Sequence, residues 1–197
     1  MQFKQWSFIG IFFFISSSVW AQGFNFGVKA GVDMVSNHIH FKKNESFTPI
    51  SVKPIIGFNV NAILNYRLSE EIGITLEPGY IQKGWTAKHR NIEKIIFNYW
   101  QLPILVDYHL SEKWALSIGP EVAFYKKKYQ HDPREALELG GVLGVNYRIS
   151  EHFATGLRAG SAILPSLSLN LTDINGNDIG KYKEYNQYLQ LSLEYWL

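Results

Sequence analysis

Apolar and polar residues alternate with period two along most of this chain beyond residue 23, as they do in strands with two unlike faces. The pattern predicts eight strands, over roughly residues 24–35, 55–67, 72–83, 96–109, 114–125, 137–149, 153–164 and 185–197. In the fourth, Trp100, Leu102, Ile104, Val106 and Tyr108 share one face, while Gln101, Asp107 and His109 share the other, diluted by Pro103 and Leu105. In the eighth, Leu189, Leu191, Leu193, Tyr195 and Leu197 oppose Gln190, Ser192 and Glu194. The second sets Phe58, Val60, Ala62, Leu64 and Tyr66 against Asn59, Asn61, Asn65 and Arg67, with Ile63 the exception. Crossing a hydrocarbon layer at a barrel's tilt takes about 9–11 residues, whereas globular strands have a mode of about 5–6. The length of these runs therefore favours strands that span a membrane.

The connections alternate in length. Strands 2–3, 4–5 and 6–7 are joined by short turns at Ser69, Ser111 and Ser150, and the others by polar segments near 36–54, 84–95, 126–136 and 165–184. Each short turn follows nearly the same phrase: Asn65-Tyr66-Arg67-Leu68-Ser69-Glu70, Asp107-Tyr108-His109-Leu110-Ser111-Glu112 and Asn146-Tyr147-Arg148-Ile149-Ser150-Glu151. A truncated copy, Glu194-Tyr195-Trp196-Leu197, closes the sequence, so that the four tyrosines are 42, 39 and 48 residues apart. That is the spacing of one long hairpin plus its loop, repeated. The predicted fold is all-β: an eight-stranded antiparallel up-and-down transmembrane β-barrel, with the short turns periplasmic and the long loops outward.

Two features refine this expectation. Pro78, Pro103 and Pro120 fall inside predicted strands and have no N–H for a ladder, so bulges or locally broken pairing are expected, helped by Gly79 and Gly119. Aromatic residues gather near strand ends. Tyr66, Tyr108, Trp114, Tyr147, Phe153 and Tyr195 predict a periplasmic girdle, and Trp85, Phe97, Tyr99, Phe124, Tyr125 and Tyr185 an outer one.

The N-terminus reads as a targeting segment. Lys4 is followed by an apolar run from Phe8 to Ile15, and Val19-Trp20-Ala21 supplies small residues where a signal peptidase cuts. The expected division is residues 1–21 as a cleaved signal peptide and residues 22–197 as the barrel domain. The mature chain then has 176 residues and a formal charge of +1, which suits one domain and gives no support for nucleic-acid binding. With no cysteine there is no disulfide, no lipoprotein acylation site and no thiol chemistry.

Further motifs give the chain a family likeness. Phe26-Gly27-Val28-Lys29-Ala30-Gly31-Val32 opens the mature chain, Tyr99-Trp100-Gln101-Leu102-Pro103-Ile104-Leu105 lies in the fourth strand, and the Tyr-Arg-Leu-Ser turns recur. In these it resembles the PorT-like outer-membrane β-barrel family of Bacteroidota, over essentially the whole mature chain. The resemblance implies a porin-like barrel of the bacterial outer membrane, with Pro103 an expected feature. The founding member takes part in protein secretion and gliding motility, and the family offers no catalytic motif.

Alternation places Lys29, Asp33, Arg67, Glu77, Asp107, Glu121, Glu138, Arg148, Arg158 and Glu194 in the barrel interior. Eight strands leave a space just wide enough for side chains, so these six acids and four bases predict a paired charge network that plugs the lumen. The two-charge acidic excess also allows a narrow cation or proton path. The loop regions carry thirteen bases against seven acids, with Lys83, Arg134, Lys181 and Lys183 among the bases. Within them Lys126, Lys127, Lys128, Lys88 and Arg90 are the candidate contacts for lipopolysaccharide or an acidic partner.

No residue set points to a cofactor, a metal or an enzyme. His38 and His40 share one side of an extended segment, but no third ligand has a convincing spacing. Asp173, Asn175, Asn177 and Glu184 match part of a Ca²⁺ loop, with Asp178 where such a loop demands Gly. Ser36, His38, Ser46, Ser161 and Ser166 lack any nucleophile elbow. The expected function is a structural, anchoring or interaction role at the cell envelope, as part of a secretion or envelope assembly. Outer-membrane lipids, lipopolysaccharide and envelope proteins are the expected partners. The aromatic-ended strand Leu193-Glu194-Tyr195-Trp196-Leu197 implies the barrel-assembly machinery as a transient one. The alternatives are a soluble, secreted lipocalin-like barrel with its apolar face inward, and an outer-membrane enzyme that modifies lipid A.

Overall fold

A computed structural model describes residues 23–42, 52–87, 94–125, 134–135, 137–172 and 175–197. Its strands are β1 (Phe24–Lys42), β2 (Val52–Lys53), β3 (Ile55–Arg67), β4 (Ile72–Leu76), β5 (Gly79–Ala87), β6 (Ile95–His109), β7 (Trp114–Tyr125), β8 (Leu137–Arg148), β9 (Phe153–Ala162), β10 (Leu167–Thr172) and β11 (Asp178–Trp196). Every pairing is antiparallel. From β1 the ladders run through β3, then β4 with β5, then β6, β7, β8, β9 and β11, which pairs back to β1. The sheet is thus a closed ring of eight staves, with β4–β5 and β9–β10 as interrupted staves and β2 a short addition beside β5.

The short turns explain the repeated phrase. Leu68, Leu110 and Ile149 each donate their N–H to the carbonyl that opens the next strand, at 2.9, 2.9 and 2.8 Å. The Ser that follows folds its hydroxyl back onto the turn: Ser69 Oγ accepts from Ile72 N at 3.0 Å, Ser111 Oγ from Trp114 N at 3.2 Å and Ser150 Oγ from Phe153 N at 3.1 Å. A Ser hydroxyl that caps its own turn is the local reason for Ser in all three copies.

The faces are those of a membrane barrel. Trp100 is 64 % exposed and Leu191 56 %, while Lys29 and Asp33 are buried at 1 % and 0 %. A water-soluble barrel of lipocalin type needs the reverse. From Phe24 to Met34 the outward residues of β1 cover about 34 Å of strand, or about 26 Å of height at a tilt of about 40°, which matches the apolar band of such barrels. Among the described residues no helix is long and apolar enough to cross a membrane. In a barrel the strands make that crossing.

Two expectations change. First, residues 36–42 and 178–184, read as loop from their polarity, are strand: β1 and β11 stay paired out to Lys42↔Lys181, and β10 joins on the far side of β11. The barrel therefore continues into a three-stranded ribbon at the end opposite the short turns. Its inner face carries Ile39, Phe41, Tyr182 and Glu184, none of them fully exposed, and this packing holds the extension in a sheet. Second, the outer aromatic girdle is not a ring facing lipid. Trp85, Tyr99 and Tyr125 point inward and are buried, because their positions share the phase of the lumen-facing residues. Tyr99 and Tyr125 pack with Val35, Ile55, Ile81, Ala123 and Tyr188 into an apolar cluster inside the barrel, and Phe97 lies against it. Of that set Phe124 is outward and Tyr185 half-buried. At the other end Tyr66, Tyr108, Trp114, Phe153 and Tyr195 are exposed, with Trp114 stacked 4.7 Å from the half-buried Tyr147 and Phe153 5.3 Å from Tyr195. The prolines fall where pairing is locally broken, as their missing N–H predicts. Pro78 sits in the gap between β4 and β5, whereas Pro103 lies inside β6. Pro120 lies inside β7 where the β6–β7 pairing lapses between Pro103↔Glu121 and Val106↔Ile118.

Candidate functional site

The lumen is filled, and its contents form layers. Nearest the short turns, Asp107 accepts hydrogen bonds from Thr75, from Ser117 at 2.5 Å and from Asn65 at 3.4 Å. In the next layer Glu77 is held between Lys29 and Arg158. The guanidinium grips it with two parallel bonds of 2.5 and 2.8 Å, and the ammonium completes the triad. Bidentate contact of this kind fixes both groups in one geometry. Beside it, Asn59 donates to both Asp33 oxygens at 3.1 and 3.0 Å, and Gln190 to one of them at 3.0 Å.

Nearer the ribbon, Lys83 bridges Glu121 at 2.9 Å and Glu138 at 2.6 Å. Tyr188 donates to Glu121 at 2.5 Å and Asn186 to Glu138. The ammonium also lies 5.2 and 5.4 Å from the ring centres of Tyr99 and Tyr188, within range of a cation–π attraction. At the base of the ribbon Glu184 accepts from Arg134 at 3.0 Å, Asn37 at 3.0 Å and Tyr182 at 2.6 Å, and Arg134 covers the ring of Phe97. Charges removed from water at this depth require such partners, because desolvation would otherwise outweigh any gain.

Of the ten residues expected inside, Lys29, Asp33, Glu77, Asp107, Glu121, Glu138, Arg158 and Glu194 are buried. Arg67 and Arg148 are exposed instead. Both end their strands, so their long side chains reach water at the turn-side mouth. There they line a cavity of about 190 Å³ together with His109, Asp107 and Glu194. Conversely, Lys83, Arg134 and Glu184 belong to the lumen and not to the loops. The alternation carries a signal for Lys83, two residues from inward-facing Ile81. None marks Arg134, whose single bridge to Leu167 is set by tertiary contact.

Lys88, Arg90, Lys126, Lys127, Lys128, Ser46, Asp173 and the N-terminal segment 1–21 lie outside the described residues. His38 and His40 face outward on β1 and are exposed. Ser161 also faces outward, and Ser166 is buried with its hydroxyl bonded to the Glu184 carbonyl at 3.2 Å. Glu184, the twelfth position of the partial Ca²⁺ pattern, is turned into the lumen, while Asn175 and Asn177 are exposed at the loop tip. Among the described residues no group of three or more His, Asp or Glu is arranged to hold a metal ion.

Solved structures share this architecture. The outer membrane protein OprG from Pseudomonas aeruginosa is similar at 11 % identity and a TM-score of 0.50, over 89 % of this chain and 97 % of that one. Ail, the attachment invasion locus protein of Yersinia pestis, is similar at 12 % identity and a TM-score of 0.48, over 89 % and 99 %. At such identities the likeness is one of fold alone. No curated protein matches the chain. Residues 20–188 match the outer membrane protein beta-barrel domain, and the chain belongs to that family of outer-membrane barrels.

Proposed function

We propose that this protein is a non-conducting, non-enzymatic anchor of the outer membrane, which presents its ribbon and loops to partners at the cell envelope. Exported with residues 1–21 as a cleaved signal peptide, residues 22–197 form the barrel domain and are inserted by the barrel-assembly machinery. A place in a secretion or envelope assembly fits the resemblance to the PorT-like barrels of Bacteroidota. The observation that carries this reading is the occupied lumen: Glu77 clasped by Lys29 and Arg158, and Lys83 clasped by Glu121 and Glu138 beneath the Tyr99–Tyr125 cluster. Aqueous channels of porin type need about 16–18 strands, and a filled eight-stranded interior leaves the outer surface as the working part. In that setting the buried ion pairs make the interior specific and rigid, and Lys88, Arg90 and Lys126 to Lys128 add basic contacts for lipopolysaccharide or an acidic partner.

The test reconstitutes the full mature protein in a planar bilayer, after a gel has verified that the unboiled form migrates apart from the boiled one. The expected result is a heat-shifting barrel with no steady single-channel conductance. Stable openings from the heat-shifting form would overturn the anchoring role and favour an ion path through the acidic lumen.

A further inference from the structure

Two surface features follow one another along the lipid-facing side of β1 and β11, the first of them extending onto β9 and β8. The lower one is an open groove on the outer wall, with a volume of about 640 Å³. Gly141, Ala159 and Ser161 line it together with Met34, Leu143 and Leu189. A side chain added at Gly141 would meet nothing within 4 Å, so the space over this glycine is open.

The upper feature begins where the outward residues stop being apolar. The rung Met34↔Leu189↔Ala159 is followed by Ser36↔Gln187↔Ser161, then His38↔Tyr185, then His40↔Lys183, with Lys181 two residues further along β11. On this face β10 adds Ser168 and Asn170, opposite Lys183 and Lys181. There is no acid among these outward positions, since Glu184 is turned inward and held by Arg134, Asn37 and Tyr182. His40, Lys181, Lys183 and Tyr185 enclose a cleft of about 250 Å³. None of the four side chains has an ion-pair or hydrogen-bond partner among the described residues. The step from Met34 to His38 is about 14 Å of strand, or about 10 Å of height at barrel tilt. That height is headgroup level, where tyrosine is at home and lysine stems bend toward phosphates.

We propose that this wall is a binding site for one phosphorylated, acylated lipid, with an acyl chain in the Gly141–Ala159 groove and a headgroup phosphate on Lys181, Lys183 and His40. The inference rests on the outer-membrane reading above and adds to it a defined lipid position. A lipid is the occupant because the cationic cleft continues the lipid-facing wall along β1 and β11, two rungs beyond Ser36 and Gln187 at the edge of the groove. The site is held by paired strands on both sides of β11, so it is pre-formed.

The experiment folds the full mature barrel into nanodiscs that carry a small fraction of bis-phosphorylated lipid A, and in parallel discs of its dephosphorylated form. Lipid retained after extraction into detergent is counted by native mass spectrometry. Wild type is expected to retain the phosphorylated form in preference. The double variant K181Q/K183Q is expected to lose roughly thirtyfold in retention, the loss of two lysines near an anionic surface. G141L is expected to reduce retention of both forms by filling the groove; should it fold poorly, the surface variant K181Q/K183Q carries the test alone. A heat-shifting barrel that retains both lipids equally, or whose double variant matches wild type, overturns the lipid site and leaves the outer-membrane reading intact. A protein that is soluble without detergent and never shifts on heating overturns both.

Discussion

Replacing Lys83 with methionine isolates the network in the lumen. Lys83 is 1 % exposed and donates to Glu121 and Glu138 at 2.9 and 2.6 Å. Methionine keeps most of the volume but leaves two buried carboxylates facing each other. Removing one partner from a buried ionic cluster costs about 3–5 kcal/mol. Some of this is recovered, because Tyr188 and Asn186 still donate to the two acids. A loss near the lower end, about 3 kcal/mol, is more than a hundredfold in the unfolding equilibrium. With a urea slope of about 2 kcal/mol per molar the midpoint falls by about 1.5 M.

The assay is a urea titration of the protein folded in short-chain lipid vesicles, read by the fraction that keeps its unboiled mobility. A triple variant, K83M/E121Q/E138Q, serves as the control. It removes the charges together and is expected to regain most of the loss, since hydrophobic or neutral replacement of a whole buried cluster is often tolerated. A single variant within about 0.5 kcal/mol of wild type, inside the range of ordinary surface substitutions, would refute the reasoning: water would then screen the cluster and the lumen would not be sealed. A triple variant no better than the single one would refute the pairwise account in the same way.

Two other outcomes follow from the outer wall and the seam. Leu191→Arg places a charge on the lipid face of β11, where Leu191 is 56 % exposed, and is expected to cost about 2–4 kcal/mol in the same titration; a neutral result would mean that this wall does not face hydrocarbon. Deleting residues 193–197 removes the rungs that pair β11 with Gly27–Ala30 on one side and Phe153–Thr155 on the other. The closing seam then loses its turn-side rungs and the aromatic end of its last strand, and fractionation is expected to find the deletant in the periplasm; normal outer-membrane levels would refute that.

How much of this was legible in the chain depends on how local each cause is. Period-two alternation is a local property, so the eight staves, the outward set from Phe58 to Tyr66 in β3 and the inward Asp33, Glu77 and Glu138 follow from reading every second residue. The Ser69, Ser111 and Ser150 turns are equally local, since each hydroxyl bonds to the backbone two or three residues away. The upper aromatic residues were harder. Being near a strand end says how high Trp85, Tyr99 and Tyr125 sit, but their phase decides that they fill the lumen instead of ringing it. Arg67 and Arg148 have the inward phase but stand at strand ends, and their reach to open water overrides it.

Alternation, turn chemistry and aromatic placement are written in the order of residues, so the sequence by itself determined an up-and-down barrel and which residues share a face. Tertiary structure decided which side chains meet inside the barrel, across the lumen or across the closing seam. Arg158 reaches Glu77 over a separation of 81 residues, Asn37 reaches Glu184 over 147 and Gln190 reaches Asp33 over 157. Such partners depend on register and on which staves end up beside or opposite one another once the ring closes. The same holds for the ribbon, whose polar residues read as loop until the pairing of β1 with β11 carries them past the barrel rim as strand. A period of two assigns each side chain to a face, and only closure of the sheet brings distant faces into contact.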